Sequence, residues 1–463
     1  MPKVAIFLLL AGGGWTPGLF GADAPKVAQP LVEISFQPFT LENETSAKSP
    51  LPELPESYSL PFFWNLALSY HPELRQFGAE VEAFRGKMIQ AGKYPNPRIL
   101  YDQEELGASA APAGNIRLQV SQEIITGGKR NLDQAISGRS LEEATIRLEG
   151  KRFEILTRIR RAFYEYVGWI ETARVGDQAV ESLQKSVEIT RQLVETVKTR
   201  PVTDLLRLES LLEEAKINQA RSRINLQGSW RQLAVEAGVP DLPSPANVEV
   251  FKETVPLETE DQVVHRVLTA HTDLQQAEIQ AEQARLEIRR AQAETIPNIQ
   301  VGGGYTWNFV ERASGAIVSL ETSLPLWDRK QGRIYEAQAR LAQSLAFKSS
   351  VENRLRRETA GAFAGYQAAK VQVERLQNQV LPKQQESLVL VRRGYQAGAP
   401  QIAFADVLLA EATVNETKLK LAGAKRELWR ALADLQGLMH LDIDRGIGET
   451  KFQKPAEPSI PVK

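Results

Sequence analysis

Residues 68–74 read LSYHPEL, and residues 268–274 read LTAHTDL. Further matches follow in the same order in both halves of the chain: Pro95-Asn96 with Pro297-Asn298, Phe163 and Tyr166 with Phe363 and Tyr366, Asp204-Leu205-Leu206 with Asp406-Val407-Leu408, and Trp230-Arg231 with Trp429-Arg430. Matches that keep their order over about 200 positions indicate an internal repeat. The sequence therefore predicts two equivalent halves, 59–238 and 261–440, joined by a linker at 239–260.

The composition excludes several classes of protein. The 463 residues include 56 Lys and Arg against 57 Asp and Glu, a net charge of -1. Binding to a polyanion needs an excess of basic side chains, so we expect no nucleic-acid partner. The chain has no cysteine and only four histidines. We therefore expect no catalytic residues, no cofactor and no metal site.

The N-terminus is typical of an exported protein. Lys3 precedes an apolar run from Val4, and small residues follow up to Ala24. This pattern predicts a signal peptide at 1–24, although a frayed apolar tail is the alternative. No later segment reaches ~18 consecutive apolar residues, so membrane insertion would have to use strands. Proline-rich composition predicts an extended leader at 25–58 and a similar tail at 441–463.

Each half is predicted to contain a helix, two strands, a very long helix, a tight turn and another helix. Residues 133–198 contain no proline and are rich in good helix formers. A single helix of this size would be roughly 100 Å long, which is typical of a coiled coil or a tube. Pro97 and Pro297 are expected to break the preceding helix in each half.

Apolar residues recur every seven positions in the last helix of each half. The series are Val407, Val414, Leu421, Leu428 and Leu435 in the second half, and Leu205, Leu212, Leu226 and Leu233 in the first. A strict seven-residue period imposes left-handed supercoiling. An ordinary bundle core is the alternative interpretation of the same pattern.

Two hairpins are predicted from alternating side chains, at about 97–124 and 298–325. In the second hairpin Tyr305, Trp307 and Phe309 lie on one face, and Thr306 and Asn308 on the other. The apolar row suits a lipid face with an aromatic girdle, and the polar row suits a water-filled lumen. A soluble four-stranded sheet is the alternative.

Four strands are too few to close a barrel. Open edges are not tolerated in lipid, because unpaired backbone N–H and C=O groups find no water there. If these strands enter a membrane, several copies of the chain must contribute to one barrel.

The ordered motifs of the two halves resemble those of the TolC-type outer-membrane efflux channel family. The motifs are Gly127-Gly128-Lys129-Arg130, Trp327-Asp328-Arg329, and Gly394 to Gly398 followed by Asp406-Val407-Leu408. The likeness covers about residues 58–440. It is closest to the outer membrane factors of resistance-nodulation-division pumps, including the heavy-metal branch.

The resemblance implies a mainly α fold with a small β part. Long antiparallel helices would form an α-helical tube, and a homotrimer would pool four strands per chain into one 12-stranded β-barrel. The protein would lie in the outer membrane, contact its lipid and extend into the periplasm. There it would conduct metal ions, drugs or other small molecules passively from an inner-membrane pump and a periplasmic adaptor.

The resemblance also places functional residues at the helix-to-helix turns. Arg200, Pro201, Gly398 and Pro400 would form the tip that docks the adaptor. Asp406, Asp204 and Tyr395 would form the pore constriction, where carboxylates around a narrow axis repel one another and attract cations. The alternatives are that both aspartates cap their helices and that Tyr395 only packs.

Two rival functions remain open at this point. A periplasmic coiled-coil scaffold or adaptor would need the long helices but not two hairpins with aromatic rows. A secreted hydrolase on a helical frame would need a nucleophile with a base and an orienting group, which the sequence does not offer.

Overall fold

A computed structural model describes residues 57–104, 114–195, 201–245, 247–248, 259–309, 311–397 and 401–440. These residues belong to one compact unit, Pro55–Lys463. The predicted signal peptide, the leader up to residue 56 and the C-terminal tail lie outside the described residues. Arg200, Gly398 and Pro400 at the predicted tip lie outside them as well.

The first half contains two helices before its hairpin, not the single helix predicted. Its elements are β1 (Ser57–Tyr58), α1 (Leu60–Tyr70), α2 (Pro72–Ala91), β2 (Arg98–Glu104), β3 (Asn115–Ile124), α3 (Lys129–Glu195) and α4 (Val202–Glu236). His71 separates the first two helices because its backbone is extended, with φ -67° and ψ 123°. The very long helix is confirmed: α3 has 67 residues.

The second half repeats this order. Its elements are β4 (Asn247–Val248), α5 (Glu260–Ala270), α6 (Thr272–Ala293), β5 (Ile299–Asn308), β6 (Ala313–Thr322), α7 (Gln331–Arg375), a π-helical turn (Leu376–Val380), α8 (Leu381–Gln396) and α9 (Phe404–Leu438). The π-helical turn interrupts the second long helix, where the sequence predicted one continuous element. Pro382 follows it and has no N–H to donate, so regular α pairing stops there.

The two halves use the same helix cap. Nδ1 of His71 accepts the Glu73 backbone N–H at 3.2 Å, and Nδ1 of His271 accepts the Asp273 N–H at the same distance. Each ring therefore satisfies one of the N–H groups that a helix start leaves unpaired. The repeated histidines therefore cap equivalent helices in the two halves.

A four-stranded antiparallel sheet joins the two halves. Its order is β2-β3-β5-β6, and β3 pairs with β5 so that Leu118 lies opposite Tyr305. Strands β2 and β6 form its edges. After β3, Gly127 and Gly128 adopt positive φ angles of 65° and 68°, which turn the chain into α3. The two glycines therefore form an elbow between the strand and the helix.

Each half has its own hydrophobic core. The first contains Phe63, Phe163, Tyr166 and Trp230, together with Tyr58. The second is built around Val263, Leu355 and Leu435, with Phe363 and Tyr366 packed against it. Equivalent aromatic positions therefore serve equivalent cores. Tyr58 belongs to the predicted leader by sequence, but β1 pairs with β4 and brings its side chain inside.

The seven-residue pattern marks buried helix faces. Val407, Val414, Leu421 and Leu435 are buried in α9, and Leu205, Leu212 and Leu233 are buried in α4. Small residues three positions further on, such as Thr417 and Ser222, are buried too. Within the described ranges, no helix combines the length and apolar character needed to cross a bilayer.

His440 ties the end of the second half to both repeats. Its ring stacks on Phe153 of α3, with centroids 4.0 Å apart, and on the His271 cap at 4.4 Å. Burial, followed by the neighbouring His271, lowers the pKa of His440 to about 4. Burial also lowers the pKa of His271. Both rings are therefore neutral in the folded protein at neutral pH.

We predict that Gly304→Ala destabilises the sheet and that Gly303→Ala does not. A Cβ at Gly304 would collide with the Leu118 carbonyl oxygen and lie 2.9 Å from Cα of Gln119, so β3 and β5 would have to separate. A Cβ at Gly303 meets only the Ile317 carbonyl oxygen, at 3.9 Å. Gly304→Ala should cost about 1–3 kcal/mol of unfolding free energy, measured by urea denaturation. Equal stability of the two variants would contradict the register between β3 and β5.

A second prediction concerns acid. Because folding lowers the pKa of His440 from its ordinary 6.5 to about 4, the unfolded chain binds more protons between these values. Stability from this group is complete above pH 6.5 and declines as the pH falls towards 4. His440→Phe should flatten this decline in urea titrations between pH 6.5 and 4.5.

His265 provides the control for this experiment, since its side chain is exposed. Glu73 also contributes to stability, but in a different pH range. Hydrogen bonds from Arg158 and Lys151 lower the pKa of Glu73 to about 2. Its contribution to the unfolding free energy therefore declines only below pH 4.5. An equal effect of His265→Phe and His440→Phe would contradict the assignment.

Candidate functional site at the sheet and the helix tips

One face of the sheet is apolar and exposed. Tyr101, Leu118, Tyr305 and Ala316 lie side by side across the four strands. On the same face, the side chain of Val318 is 87% exposed in the single chain. Such a large exposed apolar surface marks a contact with lipid or another protein. It extends along β5 to Trp307 and on to Phe309, whose ring centroids are 6.4 Å apart in an edge-to-face arrangement.

The opposite face is polar and internally bonded. Gln300 donates to the Ser121 hydroxyl at 3.0 Å, and Asn298 donates to the Glu123 carboxylate at 2.7 Å. Gln119 reaches across β5 to hydrogen-bond Ser319. This contact depends on Gly302, where a Cβ would collide with both side chains.

Charge on the polar face is predominantly negative. Four carboxylates point to this side of the strands against two guanidinium groups: Asp102, Glu104, Glu123 and Glu321 against Arg98 and Arg117. Arg117 lies 3.7 Å from Asp102 and 3.8 Å from Glu104. Leu100 and Ile317 are apolar exceptions on this face. A surface of this kind is wettable and favours cations over anions.

The helix ends far from the sheet are held together by what we call the tip cluster. It comprises Val180, Leu183 and Val187 of α3, Leu205, Leu208 and Leu212 of α4, and Leu408 of α9, with Phe404 packed against it. The cluster brings both predicted tip turns into one region, because Leu205 and Leu408 follow Asp204 and Asp406 closely. The sequence placed the two turns at equivalent positions but did not predict this contact.

Asp406 and Asp204 differ in their bonding. The Asp406 carboxylate accepts the backbone N–H of Ala403 at 2.8 Å, which caps the start of α9. Asp204 stands at the same place in α4, three residues after Pro201. A proline has no N–H, so Asp204 has no equivalent backbone donor to accept from. The Asp406 side chain therefore caps α9 and is exposed to solvent in the single chain, whereas Asp204 has no such backbone partner.

Tyr395 packs near the second tip turn. Its ring lies 5.8 Å from that of Phe404, the first residue of α9. On the same helix, Gly394 leaves room for the Ile402 side chain, which a Cβ would strike. These contacts agree with the packing interpretation of Tyr395. The contribution of Gly394 was not predicted, because only the folded turn brings Ile402 beside it.

Sequence reasoning also missed a pair of ionic contacts below the tips. Arg191 of α3 lies 2.8 Å from Glu209 of α4, and Arg392 of α8 pairs with Glu411 of α9. The repeat alignment matches Glu209 with Glu411. The repeat did not reveal the two arginines, because they precede their turns by different numbers of residues. In each half, the two helices that meet at the tip turn are thus linked at an equivalent position by one Arg–Glu pair.

Comparison with known proteins identifies the class that this fold and these faces define. The sequence profile of the outer membrane efflux protein family matches residues 64–239 and 263–439, the two halves of the repeat. The chain belongs to this family. It is an outer-membrane efflux protein that extends into the periplasm and serves as an exit duct, and the predicted resemblance is confirmed.

Two curated relatives are resistance proteins for metal ions. The cobalt-zinc-cadmium resistance protein CzcC of Cupriavidus metallidurans is 21% identical over 410 residues, covering 87% of this chain and 95% of the relative. The nickel-cobalt-cadmium resistance protein NccC of Alcaligenes xylosoxydans xylosoxydans is 22% identical over 291 residues, covering 60% of this chain and 64% of the relative.

Solved structures share the fold. The transmembrane channel CusC superposes with a TM-score of 0.69 at 16% identity, covering 82% of this chain and 91% of CusC. The outer membrane channel MtrE of Neisseria gonorrhoeae gives a TM-score of 0.68 at 18% identity, covering 91% of this chain and 98% of MtrE. The family and these structural neighbours are channels. The mainly α fold with a small sheet is therefore confirmed.

The difference between the two tip aspartates can be measured. Asp406→Ala removes the acceptor of the Ala403 N–H and should cost about 1 kcal/mol of local helix stability. Amide hydrogen exchange across 403–410 should accelerate about fivefold. Asp204→Ala is the matched control and should change exchange at the start of α4 by much less, since Pro201 offers no N–H. Equal acceleration at the two helix starts would contradict the capping asymmetry.

Proposed function

We propose that three copies of this chain form one passive outer-membrane duct, without enzymatic activity, that receives its cargo from a periplasmic adaptor and an inner-membrane pump. The observation that carries the proposal is the pair of open sheet edges, β2 and β6, beside an exposed apolar face. In lipid these edges must be paired. Pairing β6 of one copy with β2 of the next makes a closed ring, and three copies give 12 strands.

The helices support the same assembly. Val202, Leu206, Ile217, Ile224 and Val235 are exposed in the single chain and fall on one face of α4, opposite its buried seam. No residue of α8 is buried in the single chain, although Val389 and Leu390 are apolar. Because these two unpartnered surfaces differ, they suit head-to-tail contact between copies, which closes into a ring.

In this assembly the apolar sheet face, with Tyr305, Trp307 and Phe309, contacts lipid. The polar face lines the lumen, and its excess of carboxylates favours cations. Divalent transition-metal ions are the cargo that we favour, because the names of the curated relatives refer to resistance to such ions. No nucleic acid takes part, in line with the net charge of -1.

We assign the periplasmic mouth to the helix tips. Asp406, with Asp204 and Tyr395, would narrow the pore, and the turns with Arg200, Pro201, Gly398 and Pro400 would meet the adaptor. The Asp406 carboxylate can cap α9 and face the pore at once, since one oxygen accepts the Ala403 N–H. The tip cluster supports this assignment because it holds the two turns of one chain together.

Cysteine cross-linking tests the shared wall directly, because the chain contains no cysteine of its own. Tyr101→Cys in β2 should be combined in turn with Ala316→Cys, Val318→Cys or Leu320→Cys in β6, all on the apolar face. The combination that falls in register should give covalent dimers and trimers on oxidation in membranes.

Each single cysteine serves as the control and should give no covalent trimer. Within one chain β2 and β6 are separated by two strands, about 14 Å at strand spacing, too far for an intramolecular disulfide. Absence of covalent trimers from every combination would contradict the proposed ring.

A further inference from the structure

At one end of the sheet, exposed segments connect the strands to the helices. We call these segments the sheet foot (93–98, 124–130, 294–298 and 322–335). In register, Ile124, Ile299 and Thr322 lie side by side at its boundary with the rest of the sheet. Asn298 ties the two halves together there: its side-chain oxygen accepts from Nζ of Lys129 at 2.5 Å and from the Thr126 N–H at 3.3 Å. Hydrogen bonds between the two halves therefore fix the structure of the sheet foot.

Three aromatic side chains of the sheet foot face solvent in the single chain. Tyr94 is 62% exposed, Trp327 is 87% exposed and Tyr335 is 75% exposed. The guanidinium of Arg130 lies 3.8 Å from the centroid of the Tyr94 ring. Leu324 and Leu326 are exposed beside Trp327. Exposed aromatic rings with an apolar body and a polar edge are favoured where hydrocarbon meets headgroups.

The charges of the sheet foot do not balance. Its acidic residues outside the strands are already paired: Glu294 lies 2.6 Å from Arg333 and 3.1 Å from Arg290, and Asp328 pairs with Lys330. Among the described residues, Lys93, Arg130 and Arg329 form no ion pair with a carboxylate. Each copy therefore presents these three positive charges, without a carboxylate partner, beside its exposed aromatic rings.

We propose that the sheet foot binds the anionic headgroups of phospholipids at the periplasmic boundary of the bilayer. The inference rests on the proposed membrane duct, which sets the apolar face in lipid and the helices in the periplasm. The sheet foot is continuous with the apolar face of the sheet, since Val301 and Leu320 lie on that face next to the foot. Lys93, Arg130 and Arg329 contact phosphate oxygens there, and the charge complementarity selects an anionic over a zwitterionic surface.

A mixture of phosphatidylglycerol and phosphatidylcholine tests this preference. The purified full-length oligomer is reconstituted in the mixture, extracted in detergent, and its retained lipids are counted by native mass spectrometry. The wild type should retain phosphatidylglycerol over phosphatidylcholine by about tenfold. The triple variant Lys93→Gln, Arg130→Gln, Arg329→Gln should bring this ratio close to one.

A matched control changes net charge equally on the tube. Arg221 and Arg231 on α4 and Lys383 on α8 are exposed, and no ion pair links them to a carboxylate among the described residues. Their replacement by Gln should leave the lipid ratio as in the wild type. Equal loss in both triple variants, or an unchanged ratio in the foot variant, would overturn the inference.

Trp327→Ala separates lipid from the other possible occupant, a neighbouring copy. If Trp327 lies at the headgroups, the variant keeps its oligomer in detergent and shows less quenching of tryptophan fluorescence by brominated phosphatidylglycerol than the wild type, with the remaining quenching coming from Trp307. Dissociation of the oligomer regardless of lipid would overturn the headgroup role of Trp327.

Conductance of the wild type in a planar bilayer is recorded first. Absence of conductance would contradict the proposed duct, whereas conductance without a lipid preference would contradict only this inference.

Discussion

Backbone hydrogen bonding at the two sheet edges is the constraint on which the rest of the structure depends. Among the described strands, β2 and β6 each have one row of backbone N–H and C=O groups that pairs with no other strand. In water these groups would be solvated, but in hydrocarbon each unpaired group costs several kcal/mol. In the proposed duct the exposed apolar face lies in lipid, and the sheet edges pair with those of other copies. Assembly would then be a condition for insertion.

The internal repeat divides the work between sheet and helices. Each half supplies one hairpin, and the β3–β5 pairing fuses the two hairpins into one continuous section of wall. Below the sheet each half has its own core, its own histidine cap and its own Arg–Glu pair near the tip. The halves differ where the second long helix passes through a π-helical turn, whereas α3 continues without interruption. The two repeats therefore give similar helical arrangements that differ locally.

Features that depend on local pattern were predictable from the sequence. Alternation located both hairpins and sorted Tyr305 and Thr306 to opposite faces, because side-chain direction in a strand has a period of two. The repeat also placed His71 and His271 at equivalent positions, where each caps a helix. Features that depend on distant partners were not predictable. Ile402 packs over Gly394 only once the turn has formed, and the pairing of β1 with β4 joins segments almost 200 residues apart. The π-helical turn before Pro382 was not predicted either, since the sequence indicated one continuous helix.

The number of chains in the membrane-extracted particle tests the central claim most directly. Native mass spectrometry of full-length protein in detergent counts the copies without depending on register or on the tip residues. The account predicts three chains, which remain together after detergent exchange and insert into a planar bilayer as one conducting unit. A water-soluble single chain that keeps its four-stranded sheet folded without detergent would contradict it.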